Sequence, residues 1–212
     1  MEKKDTFEIV FIRHAETCYE DIGDRDPSDG ELTFHGEKQC DMLGEKLKDI
    51  HFDAYFSSSL LRAFRTAAGV CRAKEDRPLI EICPELVECG CTPGYYGCSE
   101  DYLRLRYENA KMCDDKFYGT KDYSFACATK EDNDIRAQKV IDYLKNRFTY
   151  GQRVAVFSHH GMLEHLIPTA LGVKPHHFRF ALDNVSITVV EYNRDGAVTL
   201  RCVNRQDMDY TL

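Results

Sequence analysis

Arg13 and His14 stand side by side where an apolar run, FEIVFI, comes to an end. A strand that ends this way either meets solvent or delivers chemistry. Other reactive groups sit in comparable places. Ser58 closes the run DAYFS with Arg62 one helical turn beyond it, Glu88 lies a few residues past LIEI, and His159-His160 follow RVAVFS. An arginine fork matches phosphate oxygens in a bidentate way. A histidine that is neutral at its attacking nitrogen is a competent nucleophile. A second histidine, protonated, offsets the negative charge of a phosphoryl group in flight. A carboxylic acid nearby protonates a leaving alkoxide. Together these residue types describe a phosphoryl-transfer site that runs through a phosphohistidine and needs neither metal nor other cofactor. Taken singly, each residue also fits a plainer role: a solvated strand end, an ion-paired helix arginine, a surface carboxylate, loop histidines. The joint placement is what points to chemistry.

The elements that must position these groups can be read from periodicity. Residues 7–12 are short, apolar and β-branched, as a buried strand is. Residues 33–50 read as a helix capped by Thr33, with Leu43, Leu47 and Ile50 on one face. A strand at 53–57 and a helix at 60–73 follow, then a short strand at 79–82 and a loop at 88–99 rich in Gly and Pro. Helices are expected at 100–113 and 131–148, a buried strand at 153–158 and a helix at 161–171. The end of the chain, SITVVEY-NRDG-AVTLRCV, reads as a hairpin. Strands alternating with helices imply a single domain over residues 1–212: a three-layer α/β/α sandwich with a mostly parallel central sheet, antiparallel at the hairpin side. In such sheets ligands bind beyond the carboxyl ends of the strands, which is where the reactive residues fall. The helix after Ser58 would add backbone N–H donors to the same anion site.

Composition narrows the classes. With 43% hydrophobic and 30% charged residues the chain has the balance of a soluble domain. Its net charge of −8, with no Lys/Arg cluster, argues against nucleic acid as a partner. No run approaches the roughly 18 apolar residues of a membrane span, and the charged opening MEKKD before a short apolar run does not read as a secretory signal. A cytoplasmic location is expected. Of ten cysteines, Cys83, Cys89, Cys91 and Cys98 crowd one segment, but without a CxxC pair they do not match structural zinc spacing. They are expected to be reduced thiols behaving as small hydrophobes.

At these residues the sequence resembles the histidine phosphatase superfamily, also called the phosphoglycerate mutase-like family. Arg13-His14-Ala15-Glu16-Thr17 resembles the family's Arg-His-Gly-Glu-Thr, and LTFHGEKQ from Leu32 its Leu-Thr-x-x-Gly-x-x-Gln segment. SSSLLRAFRTA resembles its Ser-Ser-x-Leu-x-Arg-Ala-x-x-Thr-Ala signature, and Leu86-Val87-Glu88 its Leu-x-Glu. VFSHHG resembles its second-histidine motif, and NVSITVVEY from Asn184 its closing strand. The pieces occur in the family's order and span most of the chain. The resemblance implies a phosphoglycerate mutase-like fold, His14 as the phosphorylated nucleophile, Arg13, Arg62 and His159 as the phosphoryl clamp, and Glu88 as the proton donor. Ser58 joins the candidate substrate contacts, and His160 and Glu16 are the fallback histidine and acid. The chain departs from the family at Ala15, where a glycine is usual and which must therefore avoid positive φ. It departs again at Glu20, where a phosphate-contacting asparagine is usual, and across 114–135, which lacks the usual Gly-Glu-Ser element.

The implied activity is phosphomonoester hydrolysis, on a small phosphate ester or a phosphoprotein. A mutase or a non-catalytic phospho-ligand binder are the rivals. Mutases of this family are generally longer, and only NRQDMDYTL follows the last expected strand, which favours the hydrolase. Loops 18–31 and 89–130 are expected to wall the pocket, with Tyr95, Tyr96, Tyr102 and Phe117 either against substrate or packed as a lid. No oligomeric state is assigned.

Overall fold

The computed structural model describes residues 5–18, 30–90, 97–113, 129–174 and 179–206. Among these residues seven strands form one sheet in the order β4-β3-β2-β5-β1-β6-β7. They are β1 (Thr6–Arg13), β2 (Ala54–Ser57), β3 (Ile80–Ile82), β4 (Ala110–Met112), β5 (Arg153–Ser158), β6 (Ile187–Asn193) and β7 (Val198–Arg205). The first five run parallel, with β1 beside β5 in the register Phe11 to Val156 and Arg13 to Ser158. β6 lies antiparallel on the other side of β1, and β7 returns antiparallel to β6 through a turn in which Gly196 N–H donates to the Asn193 carbonyl. The expected mostly parallel sheet with a terminal hairpin is what the chain forms.

Helices cover both faces, which is why the central strands are apolar throughout rather than alternating. The side-chain period of two sends neighbours to opposite layers. Phe7, Ile9 and Phe11 of β1 and Val154 and Val156 of β5 pack with α4 (Lys130–Arg147) and α5 (His160–Ala170), through Val140, Ile141, Leu144, Leu163 and Ile167. Val10, Ile12, Ala155 and Phe157 pack instead with α1 (Phe34–Leu47) and α2 (Leu61–Arg72), through Leu43, Leu47, Phe64 and Ala68. The charge that interrupts β1, Glu8, is 1% exposed and is paired with Arg153 across the β1–β5 ladder.

Local signals place the helix ends. Thr33 caps α1 by accepting from Gly36 N–H, as expected, and Thr129 and Asp132 form a capping box at α4. One expectation fails. Residues 100–113 are not one helix but the short α3 (Glu100–Arg104) followed by β4. Leu103 and Tyr107 are both buried, so their spacing mimics a helical face. The Tyr107 hydroxyl, however, donates to the Pro78 carbonyl, and Asn109 offers its own carbonyl to Ile80 N–H. The segment is thus drawn out to extend the sheet beside β3. Among the described residues no helix is long and apolar enough to cross a membrane.

Candidate active site

β1 brings His14 to the carboxyl edge of the sheet, where its N–H continues the ladder to the Ser158 carbonyl at 3.0 Å. The ring is 3% exposed, and Nδ1 lies 2.7 Å from the carbonyl oxygen of Ala15. A carbonyl only accepts, so Nδ1 carries the proton and the lone pair resides on Nε2. Burial pushes the His14 pKa well below its usual value, and the Arg62 and Arg13 guanidinium groups push it further. The bond to Ala15 opposes this shift without reversing it. His14 is therefore held neutral, in one tautomer. Ala15 is not among the described residues with positive φ, so the methyl in place of the family's usual hydrogen is accommodated.

The ends of two other strands and the start of α2 gather beside this ring. β5 leads directly into His159, fully buried, with its ring centroid 5.1 Å from that of His14. His159 Nε2 shares a 2.9 Å hydrogen bond with Ser58 Oγ, at the end of β2, and that same oxygen accepts from Leu60 N–H. Ser58 thus orients the second histidine. Arg62, in the first turn of α2, lies near enough to both rings to lower both pKa values. Arg13 anchors one guanidinium nitrogen on the Leu182 carbonyl at 2.8 Å, ahead of β6. The expectation of a protonated His159 meets a correction here: burial first, then Arg62, His14, Arg13 and Arg136, lower its pKa well below the usual value. Without an anion to offset the arginines, the second histidine is neutral.

Glu88 follows the short 3-10 turn Pro84–Leu86 and caps α5. Oε1 accepts from the N–H groups of Cys89 at 2.8 Å and Met162 at 3.0 Å, and Oε2 accepts from Gly161 N–H at 3.2 Å. The Gly161 and Met162 N–H groups are donors that the helix N-terminus leaves unpaired, and a carboxylate complements the dipole there. The glycine of HHG is part of this contact, because a Cβ on Gly161 would sit 2.6 Å from Glu88 Oε1. The two fallback residues take other places. His160 is partly exposed and lies 4.0 Å from Glu164 on its own helix. The Glu16 carboxylate accepts the Thr33 hydroxyl at 2.6 Å, so it braces the loop after His14.

Glu20, Cys91, Tyr95, Tyr96 and Phe117 lie outside the described residues. Tyr102 is exposed and faces the Arg106 guanidinium. No group of three or more His, Cys, Asp or Glu side chains suited to a metal occurs among the described residues. Three residues with no role assigned from sequence stand close behind the site. Thr66 accepts from Ala15 N–H at 2.9 Å and donates to the Arg62 carbonyl at 2.8 Å. Gln39 accepts from Glu16 N–H at 2.8 Å. Arg136, 3% exposed, reaches Asn133 Oδ1 and Cys89 Sγ and contributes to the field on His159. Their signals were present: Thr66 is four residues from Arg62, Gln39 three from Gly36, and Asn133 and Arg136 fall on the buried face of α4.

The model for the histidine phosphatase superfamily (branch 1) matches residues 9–205. Phosphoserine phosphatase 1 of Hydrogenobacter thermophilus is 28% identical over 207 residues, 91% of this chain and 90% of that protein. A 2,3-bisphosphoglycerate-dependent phosphoglycerate mutase of Methanococcus vannielii is 26% identical over 75% of this chain and 79% of its own length. The crystal structure of phosphoserine phosphatase from Entamoeba histolytica, in complex with 3-phosphoglyceric acid, superposes with a TM-score of 0.63 at 26% identity. It covers 94% of this chain and 97% of that one.

Proposed function

The chain belongs to the histidine phosphatase superfamily, and on that premise we propose that it hydrolyses small phosphomonoesters through a phosphohistidine on His14, as a phosphatase of the histidine acid phosphatase type. The observation that carries this reading is the bond from His14 Nδ1–H to the Ala15 carbonyl, which leaves a neutral ring with its lone pair on Nε2. Nε2 attacks phosphorus in line, the bond to the ester oxygen breaks, and Glu88, entering the step as the carboxylic acid, gives its proton to the departing alkoxide and becomes the carboxylate. Water then attacks the phosphohistidine, giving its proton to Glu88, and phosphate leaves with His14 restored. Arg13 and Arg62 hold the equatorial oxygens. A bound phosphoryl dianion offsets the two arginines, so His159 takes up a proton in the complex and joins the clamp. The positive charge for the reaction comes from these side chains, and chelators should leave turnover unchanged.

Phosphoserine and 3-phosphoglycerate head the trial substrates, since a phosphoserine phosphatase is among the sequence relatives and 3-phosphoglyceric acid is bound in the superposed structure. The test mixes enzyme with substrate, quenches in alkali and looks for an acid-labile phosphoryl group on His14. It also compares release of inorganic phosphate with interconversion of 2- and 3-phosphoglycerate. Phosphate release with a labelled His14 supports the hydrolase. Interconversion without release assigns a mutase instead, and an unlabelled His14 during turnover rejects the mechanism.

A further inference from the structure

The peptide plane between Ala15 and Glu16 has one end on His14 and the other on α1. Its carbonyl accepts the His14 Nδ1 proton at 2.7 Å, and its N–H donates to Gln39 Oε1 at 2.8 Å. In a trans peptide the C=O and N–H point in opposite directions within one rigid plane. Whatever grips the N–H therefore aims the carbonyl. The flanking groups are held differently. Ala15 N–H is bound by Thr66, and the Glu16 carbonyl accepts Thr33 N–H at 3.2 Å. That carbonyl also lies against Gly36, where a Cβ would approach to 2.1 Å. Among the described residues Gln39 is the acceptor for the plane in between, and it reaches there from the second turn of α1.

We infer that Gln39 is a positioning residue that sets the tautomer of the nucleophile, because its amide oxygen fixes the peptide whose carbonyl holds the proton on His14 Nδ1. A neutral imidazole has two tautomers, and which one forms is set by the hydrogen bond made by the other nitrogen. Without the Gln39 acceptor the Ala15–Glu16 plane rotates about its flanking bonds and its carbonyl leaves Nδ1. His14 then populates the form with its proton on Nε2, where the attacking lone pair should be. Arg13 and Arg62 do not depend on this plane. Turnover suffers while anion binding is kept.

This inference rests on His14 being the nucleophile, and its direct readout is made on resting enzyme so that the two ideas fail separately. Gln39→Met keeps the length of the side chain and removes the acceptor. Gln39→Asn keeps the amide and draws its oxygen back by one methylene. Gln39→Glu restores an acceptor at full length. With histidine labelled in nitrogen-15, the wild-type spectrum should show His14 protonated at Nδ1 alone, Gln39→Met and Gln39→Asn a mixture of tautomers, and Gln39→Glu the wild-type form. The first two should lose about 10- to 100-fold in kcat, the scale on which an outer partner orienting a histidine acts, with the Kd for vanadate unchanged. Gln39→Glu should recover most of kcat. A single Nδ1-protonated form in both Gln39→Met and Gln39→Asn overturns the inference, whatever their activity. So does a loss of kcat that follows thermal stability and is not rescued by Gln39→Glu. An intact tautomer pattern in an enzyme that never forms phosphohistidine would instead reject the catalytic reading of His14.

Discussion

At the scale of single residues, the site works by denying its histidines water. His14 and His159 are both buried, and two arginines press on both rings, so each is neutral before substrate arrives. For His14 that is the state the proposed mechanism uses. For His159 it is, in the proposed mechanism, a waiting state that ends when a bound dianion favours its protonation. Replacing His14 with alanine removes the nitrogen proposed to attack and leaves Arg13, Arg62 and His159 in place. Turnover should fall by roughly four orders of magnitude or more, as other nucleophile deletions do, while vanadate still binds. A His14→Ala enzyme that keeps a tenth of wild-type turnover would rule out attack by this residue.

At the scale of elements, two helix ends are finished by side chains from elsewhere in the chain, and they have opposite consequences. The N-terminus of α5 is capped by Glu88, so the group proposed to shuttle the proton is also the group that holds its helix. A methyl on Gly161 would collide with Glu88 Oε1. Gly161→Ala should therefore push the carboxylate off the helix and slow alkyl phosphates more than p-nitrophenyl phosphate, whose leaving group needs little protonation. Equal losses on the two substrates would show that the proton comes from another group. The C-terminal end of α1 is finished by Lys74, whose ammonium donates to the carbonyls of Leu47, Lys48 and Ile50. Among the described residues none of the candidate site groups is bonded to it. Lys74→Met should cost about 1.5–3 kcal/mol of stability, the scale of hydrogen bonds to a charged group, measured by denaturant unfolding, with vanadate affinity preserved. A variant as stable as the wild type would show that the three carbonyls are served equally well by water.

At the scale of the whole molecule, holding two histidines neutral links folding to pH. Both folded-state pKa values lie well below the usual value, which is about 6.5 in an unfolded chain. Below that pH the unfolded chain binds protons that the folded chain refuses, so the unfolded state is favoured as protons become available. This contribution to stability is present above about pH 6.5 and declines as the pH falls towards the depressed folded values. The melting temperature should drop between pH 7 and pH 5. The drop should be shallower in His14→Asn, which cannot titrate, and shallower again in the wild type with saturating phosphate, because the anion lets His159 accept its proton. Parallel curves for His14→Asn and the wild type would remove His14 from this linkage.

Much of this architecture is legible in the chain itself. Runs such as FEIVFI and RVAVFS are buried on both faces, so they announce central parallel strands, and the charged residues that follow them fall on the carboxyl edge by topology alone. That is why the order of residues suffices to gather Arg13, His14, Ser58, Arg62, Glu88 and His159 on one rim. The hairpin is legible for a similar reason, since its turn residues lie between two β-rich runs. Tertiary structure decided what depends on partners distant in sequence or on the direction of a backbone group. Ala110–Met112 became a strand because β3 offered an edge to pair with, whatever the helical spacing of Leu103 and Tyr107 suggested. Ser58 turned to His159 and Glu88 to the end of α5, contacts across 101 and 73 residues that no local pattern encodes. The tautomer of His14 follows from where one carbonyl points, and Gln39, 23 residues along the chain from Glu16, holds the other end of that peptide. Residue type supplies a group that can react; the folded backbone selects the nitrogen and the protonation state in which it is presented.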